Sequence, residues 1–125
     1  MNPSPNTLPK TVDVVIIGGG PAGLAIASEL SRSWRVLVVE KGQAGTTKRS
    51  WFVPLNVVDN VVRPFTYGGV TRFLASTYSG ASAKWKARQF ERYPYVDEKR
   101  LLPFWVDTVR HNGSEVVNQC EYRSH

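Results

Sequence analysis

Three glycines follow a short apolar run near the start of the chain, in the spacing Gly18-x-Gly20-x-x-Gly23. Residues 12–17 predict a fully buried parallel strand, and residues 21–32 predict a helix. Gly18 permits a tight turn, Gly20 lets the backbone approach a phosphate closely, and Gly23 lets the helix pack close to the strand. A side chain at each position would prevent this. The helix would direct its free N–H groups and positive dipole end at that phosphate. The pattern therefore predicts a nucleotide-binding turn.

A second apolar run, at residues 35–40, predicts the next strand and ends on a carboxylate. Glu40 lies where it could accept hydrogen bonds from the hydroxyls of an adenosine ribose. A carboxylate would repel a 2′-phosphate, so FAD or NAD is favoured over NADP. The candidate cofactor-binding residues lie in the glycine turn, in the start of the helix and at the end of the second strand. They are Gly18, Gly19, Gly20, Pro21, Ala22, Gly23, Glu40 and Lys41.

The run from Asp13 to Ala25, followed by Val36 to Gly42, resembles the opening of FAD-dependent oxidoreductases whose FAD domain is of the glutathione-reductase or hydroxybenzoate-hydroxylase type. In that family the first glycine motif binds the ADP moiety of FAD, and NAD(P)H docks elsewhere where it is used. The resemblance therefore implies FAD as the cofactor, with NAD less favoured.

A fainter resemblance covers Tyr95 to Gly113. It is similar to the strand and helix that precede the third parallel strand in monooxygenases, geranylgeranyl reductases and lycopene cyclases of this type. Many members carry an Arg directly after the Asp of this segment, where this chain has Glu98. This departure leaves open whether the segment touches the cofactor.

The predicted fold class is α/β: an incomplete, Rossmann-like, three-layer fold for FAD or NAD. Its order is strand, helix, strand, insert, helix and strand. Asp97 is expected to cap the second helix, which contains Pro103 and ends at Asn112-Gly113. Residues 115–122 are expected to form the third parallel strand.

The insert gives weaker signals. Residues 41–68 are expected to be mainly irregular, because glycine and proline recur there. Residues 70–77 fit a helix or a strand equally well. Residues 83–90 alternate small or aromatic with charged side chains, which predicts a strand with one solvated face. Trp51 is expected to pack in a core or a lid.

The chain has 125 residues, enough for one domain at most. Residues 1–10 are polar and proline-rich, which predicts a flexible leader, and residues 11–125 are expected to form the N-terminal part of an FAD-binding domain. The resembling enzymes are several times longer, and their late Gly-Asp motif is not identifiable here. We therefore expect an N-terminal fragment, or a shortened product, that is inactive alone.

The net charge of +6 suits an anionic cofactor, an acidic partner or an anionic membrane surface. No nucleic-acid module accompanies it, so no nucleic-acid partner is expected. Residues 84–95 interleave cations with aromatics, which favours an ordinary solvated strand; the alternative, which the resemblance to lycopene cyclases implies, is a patch that contacts a membrane or a prenyl-chain substrate. The single cysteine, Cys120, is expected to lie buried in the third strand, in a protein of the cytoplasm. No metal site is expected.

Three functions remain open at this point. The first is the ADP-binding part of an FAD-dependent oxidoreductase that acts on an apolar or aromatic small molecule, with the flavin carrying the chemistry. No residue can be named as a catalytic acid or base. The second is a non-catalytic nucleotide-binding or interaction fragment. The third is an NAD-dependent enzyme, which the N-terminal position of the motif and the Glu-Lys-Gly sequence after the second strand disfavour.

Overall fold

The computed structural model describes residues 8–46, 51–54, 58–70, 72–86 and 93–124. The chain divides into two compact units, Met1–Lys48 with Lys99–His125, and Arg49–Glu98. The helices and strands in chain order are β1 (Val14–Ile17), α1 (Pro21–Leu30), β2 (Val36–Val39), β3 (Thr66–Val70), β4 (Arg72–Ser76), β5 (Ser82–Lys86), β6 (Tyr93–Val96), α2 (Glu98–His111) and β7 (Glu115–Val117), with a short 3-10 helix at Arg63–Phe65. This order confirms the predicted α/β class.

The first unit contains a three-stranded parallel sheet in the order β1-β2-β7. All four residues of β2 are buried, because β2 lies between two strands, α1 contacts it, and Leu8, Val12 and Cys120 pack against the cluster that contains Leu37 and Val39. The prediction that the first strand is fully buried is wrong. Val15 and Ile17 are 51% and 60% exposed, since β1 lies at an edge of the described sheet and these two side chains alternate with Ile16, which faces α1.

Helix α1 begins at Pro21, as predicted, and ends two residues earlier than expected. Leu24 and Ala27 are its fully buried residues, on the face that lies toward the sheet. Gly23 explains how close the helix can lie: a Cβ at this position would collide with the carbonyl oxygen of Gly18. The third glycine of the motif therefore packs helix against strand, as the sequence predicts.

Helix α2 begins directly after Asp97 and continues through Pro103 to His111. Its apolar face is buried through five residues, and these are Leu101, Leu102, Trp105, Val106 and Val109. After the helix ends, the Gly113 N–H donates to the Arg110 carbonyl and the Ser114 N–H donates to the Val109 carbonyl. These bonds satisfy carbonyls of the last turn, so the predicted stop at Asn112-Gly113 is confirmed.

The third parallel strand is shorter than the predicted range of 115–122, because β7 ends at Val117. Two features end it. The buried side chain of Asn118 accepts a hydrogen bond from the Ala44 N–H, and Gln119 has a φ of 52° in the left-handed region. Cys120 therefore lies beyond the strand and is only partly buried, so the prediction of a buried strand residue is wrong.

The second unit contains two antiparallel pairs, β3 with β6 and β4 with β5. The strand that the resemblance implies before the second helix is confirmed as β6. The expectation of irregular structure through residue 68 is wrong at its end, since β3 begins at Thr66. Residues 70–77 contain a strand, β4, and β5 covers the start of the predicted strand at 83–90.

Some expectations fall on residues that the structure does not describe. The residues that are not described are 1–7 of the expected leader, 47–50, 55–57, 71, 87–92 and 125. Within the described ranges, neither helix combines the length and the apolar character needed to cross a membrane.

Replacing Gly23 with Ala tests the helix packing. We expect the free energy of unfolding to fall by about 3 kcal/mol, because the added methyl group meets backbone rather than a side chain that can move. The gain in helix propensity from Gly to Ala, about 1 kcal/mol, does not offset this. Urea denaturation followed by circular dichroism measures the change.

The matched control is Gly20→Ala, in the same motif. A Cβ at Gly20 meets no atom within 4 Å, so its cost should stay below about 1 kcal/mol. Equal destabilisation by the two variants would contradict the packing role of Gly23.

Candidate nucleotide-binding site

The glycine turn connects β1 to α1 and is fixed by the neighbouring strand. Gly18 follows β1 with a φ of 107°, a conformation that L side chains rarely adopt, and its N–H donates to the Val39 carbonyl at 2.8 Å. Gly19 is buried, and a Cβ there would lie 2.6 Å from the Cβ of Ala44. The turn is therefore packed tightly at Gly19.

The same turn is open at Gly20, where a Cβ would meet no atom within 4 Å. Gly20 caps α1, and the first intrahelical hydrogen bond runs from the Leu24 N–H to the Gly20 carbonyl at 3.0 Å. Pro21 is the first helical residue, and Ala22 is exposed. Helix starts of this kind present backbone N–H groups and a partial positive charge to an anion.

Glu40, directly after β2, bridges the turn to the second strand. Its Oε2 accepts a hydrogen bond from the Gly19 N–H at 2.7 Å, and its Oε1 accepts one from the Gly42 N–H at 2.8 Å. The bonds from Gly42 and Gly19 hold the pKa of this carboxyl below its ordinary value, and the charge of Lys41 acts in the same direction. Glu40 is therefore an anion at neutral pH. Each oxygen keeps a further lone pair that could accept a hydrogen bond.

The loop after Glu40 is held to both the glycine turn and the segment after β7. The Gly45 N–H donates to the Gly19 carbonyl, and the Ala44 N–H donates to Oδ1 of Asn118 at 2.7 Å. The Cys120 N–H donates to the Glu40 carbonyl at 2.9 Å. Asn118 was not a predicted site residue. Its buried oxygen fixes Ala44, which in turn packs against the buried Gly19.

A cavity of about 310 Å³ opens beside this arrangement, at the carboxyl ends of the parallel strands. It is lined by Ile17, Gly18, Val39, Glu40, Lys41, Cys120, Glu121 and Tyr122. Three of these are predicted site residues, and the other predicted residues belong to the adjoining turn and helix start. Sequence reasoning missed the other five, which are Ile17, Val39, Cys120, Glu121 and Tyr122. The rule that ligands of open α/β sheets bind at the carboxyl ends of the strands could have found them.

Other residues that the sequence singles out lie outside this site. Trp51 is partly buried and donates its Nε1–H to Oε2 of Glu98 at 2.8 Å. Glu98 thus accepts a hydrogen bond from a tryptophan of its own unit. His111 lies in the last turn of α2. Among the described residues, no three His, Cys, Asp or Glu side chains come close enough together to hold a metal ion.

Comparison with known proteins gives one family. Residues 13–92 match the family model described as FAD dependent oxidoreductase. No curated protein matches the chain in a sequence search. Many solved structures match the chain. The three described next are 16% to 22% identical to it, so their likeness concerns the fold alone.

Three of these structures illustrate the match. The Diels-Alderase of the pyrroindomycin pathway has a TM-score of 0.67 and 20% identity over 89% of this chain. The flavin-dependent monooxygenase PieE, solved with FAD and substrate, has a TM-score of 0.60 and 22% identity over 89%. A geranylgeranyl bacteriochlorophyll reductase-like protein from Thermoplasma acidophilum has a TM-score of 0.58 and 16% identity over 86%. The chain spans 26%, 24% and 30% of their respective lengths.

The hydrogen bonds of Glu40 make stability depend on pH. Because its folded-state pKa is lowered, the stabilisation is fully present above its ordinary value of 4.5 and is lost as the pH falls through the folded-state pKa. We expect Glu40→Gln to be less stable than the unmodified chain at pH 7, since an amide nitrogen cannot accept from a backbone N–H. The gap should close as the pH falls below 4.5.

Urea denaturation at several pH values measures this gap. Glu29→Gln is the matched control, because Glu29 is an exposed carboxylate whose ion pair with Arg32 spans 3.5 Å at the surface. A gap for Glu40→Gln that stays constant between pH 7 and pH 3 would show that charge on Glu40 contributes nothing.

Proposed function

The chain belongs to the FAD dependent oxidoreductase family, and from that premise we propose that its glycine turn, Glu40 and Lys41 hold the ADP moiety of FAD. The residues proposed to bind cofactor are Gly18, Gly19, Gly20, Pro21, Ala22, Gly23, Glu40 and Lys41. The enzyme of which they are part would oxidise or reduce an apolar or aromatic small molecule.

The observation that carries this proposal is the cavity of about 310 Å³ beside Gly18 and Glu40. Its surroundings fit the groups of an ADP moiety. Gly20 leaves room for a pyrophosphate next to the start of α1, where N–H groups and the helix dipole favour an anion. Lys41 adds a positive charge at the cavity wall. Ile17 and Val39 add apolar surface suited to a base.

Glu40 would act in two ways. Its bonds to Gly19 and Gly42 fix the turn before any ligand arrives, and its remaining lone pairs would accept the ribose hydroxyls. The same negative charge would oppose a 2′-phosphate. These interactions bind and orient the cofactor, and FAD itself supplies the electron-transfer chemistry when bound.

We further propose that this chain supplies only the ADP-binding portion of the flavin site. Support comes from its length, since the chain spans 24% to 30% of the three solved structures compared above. On this proposal, catalysis requires residues that are not among these 125, and the chain alone binds nucleotide without turning over a substrate.

Cys120 provides a direct test, because it lines the cavity and is the only cysteine of the chain. We expect ADP-ribose to slow the labelling of Cys120 by N-ethylmaleimide. The 2′-phosphorylated form of ADP-ribose should protect less, because Glu40 repels it. Mass spectrometry of the labelled fraction over time gives the rates. Equal rates with and without ADP-ribose would contradict binding in this cavity.

Gly20→Ala separates binding from folding. The added methyl group meets no protein atom but enters the space proposed for the pyrophosphate, so we expect an unchanged circular dichroism spectrum and an affinity for ADP reduced about tenfold or more, a loss of about 1.4 kcal/mol. Titration calorimetry measures this. Glu29→Gln, on the outer face of α1, should bind ADP as the unmodified chain does.

Incubation with FAD followed by desalting distinguishes the alternative function. Flavin that remains with the chain supports the FAD-binding proposal. Micromolar affinity for ADP without retained flavin would favour a non-catalytic nucleotide-binding fragment.

A further inference from the structure

Three aromatic side chains form a row across the β3–β6 sheet of the second unit. Tyr95 of β6 lies opposite Tyr67 of β3 on one side and opposite Phe52 on the other, where residues 51–53 pair with β6. Tyr93 precedes Tyr95 by two positions and shares its face. We call these four residues the aromatic face.

The rings of the aromatic face contact one another in an ordered way. Tyr67 and Tyr95 are stacked, with centroids 5.7 Å apart and planes 28° apart. Phe52 meets Tyr95 edge-on at 6.3 Å and Tyr93 edge-on at 6.1 Å. Cross-strand pairing explains these contacts, and each stabilises the sheet modestly.

Pairing does not explain why the rings are so exposed. Tyr67 is 57% exposed, Phe52 48% and Tyr95 37%. The alternate residues of β6, Pro94 and Val96, are buried, so the core side of this sheet is the opposite face. A sheet with one solvated face normally carries polar residues there. A cluster of aromatic rings in that position indicates a binding surface.

The backbone beside the row keeps the Tyr95 ring accessible. The β3–β6 register shifts between Tyr67 and Val70, which marks a bulge that contains Gly68. A Cβ at Gly68 would lie 3.7 Å from Cδ2 of Tyr95. The φ of Gly68 is 61°, in the left-handed region that favours glycine, and the lack of a side chain there leaves Cδ2 of Tyr95 uncovered on this side.

We propose that the aromatic face binds the planar ring system of a small molecule. Tyr67 and Tyr95 stack on each other and the Phe52 edge meets Tyr95, so the exposed part of the Tyr67 ring would provide the π-surface for offset stacking of a ligand. The two tyrosine hydroxyls can donate to or accept from polar substituents of the ligand. The identification of this ligand as the substrate class rests on the proposed function. The binding itself rests on the geometry of the face.

Equilibrium dialysis of a naphthalene carboxylate against the full chain tests this proposal. An excess of ADP in both compartments keeps the probe out of the nucleotide cavity. The fully saturated decalin carboxylate has the same charge and carbon skeleton but no planar π-surface, so it should bind several-fold more weakly. This comparison needs no mutation and does not depend on the stability of a variant.

Variants then locate the site. We expect Tyr67→Leu to weaken naphthalene carboxylate binding roughly threefold to tenfold, the range expected for one stacked ring. Tyr67→Phe, which keeps the ring and loses only the hydroxyl, should weaken binding less than Tyr67→Leu does. Tyr78→Leu is the matched control, because Tyr78 is a fully exposed tyrosine of the same unit in the turn between β4 and β5.

Several results would overturn the proposal: no binding of the probe at millimolar concentration, equal binding of the decalin compound, or equal weakening by Tyr67→Leu and Tyr78→Leu. A dimer that forms through the aromatic face in place of ligand binding, detected by size exclusion and abolished by Tyr67→Leu, would also overturn it.

Binding of ADP measured on the same preparation keeps the two proposals separate. Loss of ADP binding with retained probe binding refutes the proposed function alone, and the reverse refutes only the aromatic site.

Discussion

The carboxylate of Glu40 connects the parts on which the candidate cofactor site depends. Its two oxygens accept hydrogen bonds from Gly19 in the glycine turn and from Gly42 in the following loop. These bonds join the end of β1 to the end of β2. They also lower the pKa of Glu40. The backbone that this carboxylate holds in place therefore keeps the carboxylate charged, and this charge could orient a ribose. A single side chain thus shapes the turn and keeps lone pairs that could accept hydrogen bonds from a ligand.

The loop held by Glu40 also makes the site depend on the third parallel strand. Asn118 binds the backbone of Ala44, and Ala44 occupies the space that a side chain at Gly19 would need. A glycine turn of correct sequence would lose this support without the segment after β7. This is why residues far apart in the chain, and not the glycine motif alone, define the cavity.

The local parts of this arrangement can be predicted from the sequence because short-range sterics decide them. The spacing from Gly18 to Gly23 encodes the turn and the close helix, and Asn112-Gly113 encodes the end of α2. The burial of β1 and the length of β7 could not be predicted in the same way. The burial of β1 depends on which strands lie beside it in the sheet. The length of β7 depends on the hydrogen bond between the Asn118 side chain and the distant Ala44. The predicted strand extends to Cys120 for this reason, because the sequence alone does not show that pairing stops at Val117.

The aromatic face illustrates the same limit on what a sequence pattern can indicate. Tyr93 and Tyr95 alternate along a strand that contains Pro94, which disfavours a strand in sequence reasoning, because proline cannot donate to a ladder. The structure accommodates the proline: its carbonyl accepts from the Val53 N–H while β6 pairs with β3 on the other side. Only this pairing brings Phe52 and Tyr67 beside Tyr95. The residues proposed to hold a cofactor thus lie between Gly18 and Lys41 in the sequence, whereas the surface proposed for a planar ligand arises from three separate segments and becomes visible only in the folded sheet.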